Sequence, residues 1–329
     1  MPDPCPVRSW YTSERDLDSL IVALGPGPWP RQELIAFGWS IERIRAAVRA
    51  GRIHRLQHGV YAVGAPDLST AVRAALAKAG AGAAVSHETA AILRTLWLPR
   101  RPSSLIHVTR GGAIERTHQG VRLHGSRLPE EFVEDLYGMP VTTVARTAVD
   151  LARGLTLPDA MIVIDSAARL LIQQASGEDL RVLRSVSRRA ELLPLGLAPL
   201  TEAFASVWTW PGTVVVRGAI ELVDPASESP HESRGRGWMY EAKLPMPLTA
   251  YEVQGASGVW YVSEFAWEKQ RVLGEVDGIE KYGRTGDEVT ASVRAERIRQ
   301  ADLQDAGWTF ARWTTSERRA VVTRRIGRT

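Results

Sequence analysis

The chain has 329 residues and a mass of 36.2 kDa, with 44% apolar and 24% charged side chains, a mixture that excludes a disordered chain and predicts two or three domains at roughly 100 to 200 residues each. No run approaches the roughly 18 apolar residues that span a bilayer, and MPDPCPVRSW lacks a basic segment followed by an apolar one, so a cytoplasmic protein with no membrane association is expected. Formal net charge is only +4, yet 37 of the 41 cations are Arg; the planar guanidinium fork suits phosphate, while an Ala/Arg/Gly-rich chain equally reflects a GC-rich genome. The lone Cys5 can neither close an internal disulfide nor complete a thiolate zinc cage.

The first elements are short. Pro30 precedes RQELIAFG, a helix closed by Gly38, and Ser40 caps a second helix from Ile41 to Ala50 that ends at Gly51. Ile41, Ile44 and Val48 recur at helical spacing and are expected to face a core, with Arg45 and Arg49 on another face. RIHRL and VYAV follow as two β-rich runs joined by Gln57-His58-Gly59, a hairpin signal. Helix, turn, helix, hairpin is the order of a winged helix-turn-helix, whose second helix enters the major groove while the wing reaches phosphate. Trp29 to Ala62 holds six Arg against Glu33 and Glu42. The expected DNA contacts are Arg43, Arg45, Arg49, Arg52, Arg55 and His58; the alternative is a solvated basic helix beside a surface hairpin. His54 and His58 do not define one face and are not read as a metal pair.

The run RQELIAFGWSIERIRAAVRAGRIHRLQHGVYAVG resembles the N-terminal winged-helix domain of AbiEi-type antitoxins of type IV toxin-antitoxin systems, and SHETAAILRTLWLP, from Ser86, and TTVARTAVDLAR, from Thr142, are similar to segments that accompany it. The resemblance implies promoter DNA binding and control of a neighbouring toxin. Within this middle stretch, Ser86 caps a helix from His87 to Trp97, and LIHVTR and VRLH alternate as strands. Thr143 opens a helix with Arg146 and Asp150 at i, i+4, expected to be an exposed pair of about 0.3 to 0.5 kcal/mol. Pro158 opens another helix, to about Leu171, with Met161, Ile164 and Ala168 in the core. Arg94 to Leu128 carries seven Arg against Glu115, of which Arg110, Arg116 and Arg122 extend a phosphate-binding surface or line a solvated sheet edge.

Asp224 to Pro230, DPASESP, reads as a polar linker. Beyond it Ser229 and Pro230 start a helix with Glu232 in its first turn and Arg236 one turn later. YEVQ, VWYVSEF and RVLGEVDG read as strands, and Glu275 and Asp277, two apart, share a face. Glu221 to Glu280 holds eleven acids against five cations, and the tail from Lys281 onward eleven cations against six acids. Carboxylates gathered at strand ends are hard oxygen ligands suited to Mg2+; a solvated strand face is the alternative.

SPHESRGRGWMYEAKLPMP, VSEFAWEKQRVLGEVDGIEKYG and RIRQADLQDAGWTFARW, roughly residues 228 to 314, resemble the PD-(D/E)XK nucleases, in the branch of very-short-patch repair endonucleases. The resemblance implies catalytic residues Glu232, Glu264, Glu275 and Asp277, with Lys281 as a substitute cation, and Mg2+ or Mn2+ held by Glu264, Glu275 and Asp277. Two positions depart from the pattern: Glu264 stands where Asp is usual, and Asp277 where Lys is usual. A helix around Val289 to Ala306, with Arg294, Arg297 and Arg299, and the strand WTFARW complete the nuclease-like core.

The expected architecture is therefore an α+β multidomain chain: a winged helix-turn-helix over 1–64, a mixed α/β middle domain over 65–223, and a restriction-endonuclease-like α/β domain over 224–329. The expected function is a DNA-binding defence or toxin-antitoxin protein with a metal-dependent endonuclease domain. The alternatives are a non-catalytic repressor and antitoxin with a degenerate nuclease fold, and a dimeric DNA-binding scaffold. Expected partners are double-stranded DNA and a cognate toxin or a second copy of the chain.

Overall fold

The structure, a computed structural model, describes residues 16–25, 27–57, 59–63, 67–277 and 286–327. Two of the expected site residues, His58 and Lys281, lie outside the described residues. In chain order the elements are α1 (Leu17–Leu24), β1 (Trp29–Pro30), α2 (Arg31–Ala36), α3 (Ile41–Arg49), β2 (His54–Gln57), β3 (Val60–Ala62), α4 (Leu68–Ala79), β4 (Ala83–Val85), α5 (His87–Leu93), β5 (Ile106–Arg110), β6 (Arg116–His118), β7 (Val121–His124), β8 (Val133–Asp135) and β9 (Pro140–Thr142). They continue with α6 (Val144–Ala152), α7 (Leu157–Ser176), α8 (Val186–Ala205), α9 (Thr213–Glu221), α10 (Pro230–Glu241), β10 (Leu248–Gln254), β11 (Trp260–Trp267), β12 (Val272–Asp277), α11 (Gly286–Asp305), β13 (Thr309–Thr314) and α12 (Arg319–Ile326). The fold is mixed α/β with three sheets.

The chain separates into two compact units, Met1–Ala90 with Ser103–Thr142, and Ala91–Pro102 with Thr143–Thr329. These limits differ from boundaries at 64 and 224 for a packing reason. Inside the first unit α4 packs on β1, β2 and β3, and inside the second α10 packs along α7.

In the first unit, the Ser40 hydroxyl accepts from the Arg43 N–H at 3.1 Å and caps α3, a contact worth about 1 kcal/mol. Gly38, at φ 104°, supplies the left-handed turn between α2 and α3 that a side chain would strain. Leu20, Trp29, Leu34, Trp39, Ile44, Ala47, Ile53 and Tyr61 form the core here. Ile41, expected in that core, is 41% exposed, because Ala47 rather than Ile41 shares the buried stripe with Ile44. The small sheet runs β1-β3-β2, all antiparallel. A six-stranded sheet, β6-β7-β5-β4-β9-β8, follows, with β5 and β7 parallel and β6 their antiparallel edge. One face of it packs Val108 and Leu123 against Ala75 and Ala79 of α4.

In the second unit α7 is the hub: Met161, Ile164 and Ala168 are fully buried, and α6, α8, α9 and α10 all pack on it. The sheet β10-β11-β12-β13 has antiparallel neighbours except β12 and β13, which run parallel. Alternation gives that sheet two apolar faces. Phe265, Trp267, Val272, Val276, Ala311 and Trp313 pack with Met239 of α10 and Val322 and Ile326 of α12. Ala266 and Leu273 pack with Leu303 of α11 and Trp308.

Two expectations about polar segments are corrected. The Arg146–Asp150 pair is not exposed: its side chains are 0% and 2% accessible, with Nε to Oδ2 at 2.8 Å, and desolvation raises the Asp150 carboxyl above its ordinary value. The stretch 224–230 is not a linker either. Ala226 and Ser227 are buried, and Asp224 joins a network in which its N–H donates to Asp165 Oδ1 at 2.9 Å. Arg236 donates to Asp165 Oδ2 at 3.0 Å, Arg189 donates to Asp224 Oδ1 at 3.3 Å and Thr249 Oγ1 at 2.7 Å, and Thr249 donates to Asp224 Oδ2 at 2.5 Å. The network ties α7, α8, α10 and β10 to one segment that sequence composition made look detached.

Candidate functional site

Three groups of side chains carry chemistry. The first is a groove on the helix pair and hairpin, lined by Arg31, Ile41, Ile44, Arg45, Val48, Arg49, Arg55, Gly59 and Tyr61. Ile41, Arg45, Val48 and Arg49 recur at i, i+4, i+7 and i+8 on α3, the side away from Ala47. Arg55 reaches it from β2 and Arg31 from the start of α2. Four guanidinium groups converge with no carboxylate among the lining residues, which makes the groove a focus of positive potential. Of the expected DNA contacts, Arg45, Arg49 and Arg55 are brought together here. Arg43 instead lies over the Trp39 ring, 4.9 Å from its centroid, and Arg52 is exposed in the turn after α3. Arg110 is engaged with the Ala79 carbonyl, and Arg122 with Thr117 Oγ1 at 3.3 Å.

The second group is the acidic set of the second unit. Glu264 on β11 and Glu275 on β12 fall opposite each other by the register that pairs Phe265 with Gly274, and alternation puts them and Asp277 on the α11 face. Glu275 does not present free oxygens. One faces Arg299 of α11 and the other Arg312 of β13 at 3.1 Å, and both guanidinium groups also hold Glu296. Burial alone would lower the Arg299 guanidinium, but Glu296 and Glu275 hold it above its ordinary value. Glu264 Oε2 accepts from the Val276 N–H at 2.6 Å. Glu232 sits on α10, which packs over the opposite face of the sheet. There Ser229 Oγ accepts from the Glu232 N–H at 3.2 Å while Glu232 Oε2 accepts from the Glu228 N–H at 2.8 Å, a reciprocal helix cap. Desolvation pushes the Glu232 carboxyl up to about 7. A divalent cation at Glu264, Glu275 and Asp277 would have to displace two guanidinium groups from Glu275.

The third group is one the sequence reading did not single out. His87, His107 and His124 place one ring nitrogen each within 4.8 Å of the others, the only such His, Cys, Asp or Glu group of three among the described residues. His107 Nδ1 lies 3.0 Å from His124 Nε2, and the His87 and His124 rings stack with centroids 3.8 Å apart. Burial, with His87 and His107 alongside, pushes His124 down to about 3, and burial lowers His107 as well. Strand alternation hints that His107 and His124 avoid the Val108 and Leu123 face, but the insertion of β6 between β5 and β7 hides that the two strands are neighbours.

Residues 78–196 match the model of the AbiEi antitoxin C-terminal domain, which relates this stretch to toxin-antitoxin proteins. It contains the blocks beginning at Ser86 and Thr142, and begins after the α3 and hairpin block. Two uncharacterized proteins of Mycobacterium tuberculosis, MT2308 and Rv2248, are each 28% identical to this chain over 272 residues, covering 82% of it and 88% of the relative. A crystal structure of the RV2827C protein from Mycobacterium tuberculosis is similar at 18% identity and a TM-score of 0.37, covering 58% of this chain and 81% of that one. No helix among the described residues is long and apolar enough to cross a membrane.

Proposed function

We propose that this chain is a toxin-antitoxin-type DNA-binding protein that acts by occupying duplex DNA and does not cut it. The observation that carries the proposal is the arginine groove. On this reading residues 16–63 are a winged helix: α3 enters the major groove, β2 and β3 form the wing, and Arg31, Arg45, Arg49 and Arg55 neutralise phosphates along the contact. Ile41 and Val48, apolar yet lining the groove, give it surface able to touch thymine methyl groups.

The second unit supports the non-catalytic form of this reading. Its strands β10 to β13 form one sheet flanked by α10, α11 and α12, while the Arg299 and Arg312 pairs occupy the carboxylate that hydrolysis would need for its metal. The match at 78–196 favours a cognate toxin or a second copy of the chain as protein partner.

Binding is measured by fluorescence anisotropy on duplex DNA from the region upstream of the gene, across a salt series. Arg45→Ala with Arg49→Ala is expected to weaken binding and to reduce the slope of log K against log salt by about 2, close to 0.9 per lost phosphate contact. Unchanged affinity and slope in the double variant would refute the groove as the interface.

A further inference from the structure

We infer that His87, His107 and His124 form a binding site for a divalent transition-metal cation of the Zn2+ class. The inference rests on the six-stranded sheet of the first unit and is independent of the DNA groove.

The backbone brings the three imidazoles together from separate elements. His107 lies on β5 and His124 on its parallel neighbour β7, offset by two residues in a register that pairs Thr109 with His124. Both therefore project from the face opposite Val108 and Leu123. His87 is the first residue of α5 and adopts φ 50°, a left-handed conformation that costs a β-carbon-bearing residue about 1 kcal/mol or more and is retained where a side chain must be aimed. The side chains of His107 and His124 are 14% and 12% exposed, sheltered but within reach of a diffusing ion.

The tautomers follow from the partners. Ser103 Oγ donates to Glu88 Oε2 at 2.6 Å, so toward His107 Nε2, 3.3 Å away, it can only accept. Glu88 Oε2, 3.7 Å from the same nitrogen, also favours a proton there. His107 Nδ1 is then bare and aimed at His124 Nε2 at 3.0 Å, a separation that requires a proton between them. A Zn2+ ion takes that place while the His124 proton moves to Nδ1, on the side of Glu115: with Zn–N bonds of about 2.0 to 2.1 Å a tetrahedral ion needs nitrogens roughly 3.3 Å apart, so the pair has to open by only a few tenths of an ångström.

The far nitrogens are held as metal-ligating histidines usually are. His107 Nε2 faces Glu88 and Ser103, His124 Nδ1 lies 3.9 Å from Glu115, and His87 Nδ1 lies 2.9 Å from Ser86 Oγ, which Thr109 Oγ1 in turn orients at 2.8 Å. Glu88 and Glu115 supply negative charge against the ion; Arg122, on the same face of β7, opposes it, and its guanidinium is engaged with Thr117 Oγ1. Three imidazoles select Zn2+, Co2+, Ni2+ or Cu2+ over Mg2+ or Ca2+, and three protein ligands leave a fourth position to water or an incoming donor.

The experiment is isothermal titration calorimetry of ZnSO4 into full-length protein, freed of any affinity tag and stripped with EDTA, in two buffers of different ionisation enthalpy. One ion per chain is expected, with little net proton release, because neutral imidazoles bind the metal through ring lone pairs. His107→Asn and His124→Asn should each weaken binding about hundredfold or more, and Glu88→Gln about 10- to 100-fold, with far-UV circular dichroism confirming each fold. His118→Asn, an exposed imidazole on β6 outside the triad, should leave affinity unchanged. Absence of stoichiometric binding, wild-type affinity in both triad variants, or an equal loss in His118→Asn would each overturn the assignment.

Discussion

A carboxyl as deeply buried as that of Glu232, 6% exposed, keeps its proton far above the pH at which an unfolded glutamate ionises. In the unfolded chain it titrates near 4.5 and in the folded chain near 7. Between those values the folded state binds the proton that the unfolded state has lost. Stability therefore falls as pH rises through that window and levels off above it, by up to about 3 kcal/mol at about 1.4 kcal/mol per pKa unit. Glu232→Gln keeps the oxygen that accepts from Glu228 and removes the titration. Urea denaturation should show the variant gaining on the wild type from pH 5 to pH 8; a constant difference would contradict the assignment. Asp165, fully buried and pushed up to about 6 by desolvation, leaves a residual decline in both proteins over a lower window. These same surroundings explain why a catalytic role for Glu232 does not follow from its position: its oxygen already serves the start of α10.

Between helices, contact distance decides which substitutions the fold accepts. α10 approaches α7 so closely at Gly237 that a β-carbon there would lie 2.5 Å from Pro158 Cα. In an isolated helix Gly→Ala stabilises by about 1 kcal/mol. Here Gly237→Ala is expected to destabilise by about 1 to 3 kcal/mol, so the sign of the change in denaturant midpoint tests the packing. Much of the element order was legible in the chain: the Ser40, Thr143 and Ser229 caps each accept the expected backbone N–H, and α7 begins with Pro158 in its first turn. α8 was not legible, because Pro194 and Pro199 lie inside its twenty residues, where proline normally ends a helix. Burial of Leu192, Gly196, Leu200 and Ala203 overrides that local preference. Ile41 misled for the opposite reason, since helical spacing marks an apolar stripe without saying whether a core or a ligand will cover it. Of the groove arginines, Arg45 and Arg49 were legible from their spacing on one helix and Arg55 from the hairpin, whereas Arg31 was not singled out. The histidine triad was not legible, because it depends on which strands are neighbours.

At the scale of the whole molecule, an acidic segment between basic ones has two physical outcomes: a cation gathers the acids, or the chain's own arginines do. Glu275, Glu296, Arg299 and Arg312 take the second course, with contacts among all four. Purified protein is accordingly expected to leave supercoiled and linear duplex DNA intact with either Mg2+ or Mn2+ in a gel assay. Metal-dependent cutting that Glu275→Ala abolishes would restore the enzymatic reading.

The charge network around Asp224 also limits how the gene can be dissected. Severing the chain at 224 would part Arg236 from Asp165 and Arg189 from Asp224, exposing on each fragment groups that were matched only in the intact protein, at about 3 to 5 kcal/mol for a buried ion left alone. Such halves would aggregate. Fragments meant to report on one activity at a time should carry no cut within 143–329 and should retain 91–102, which belongs to the same unit.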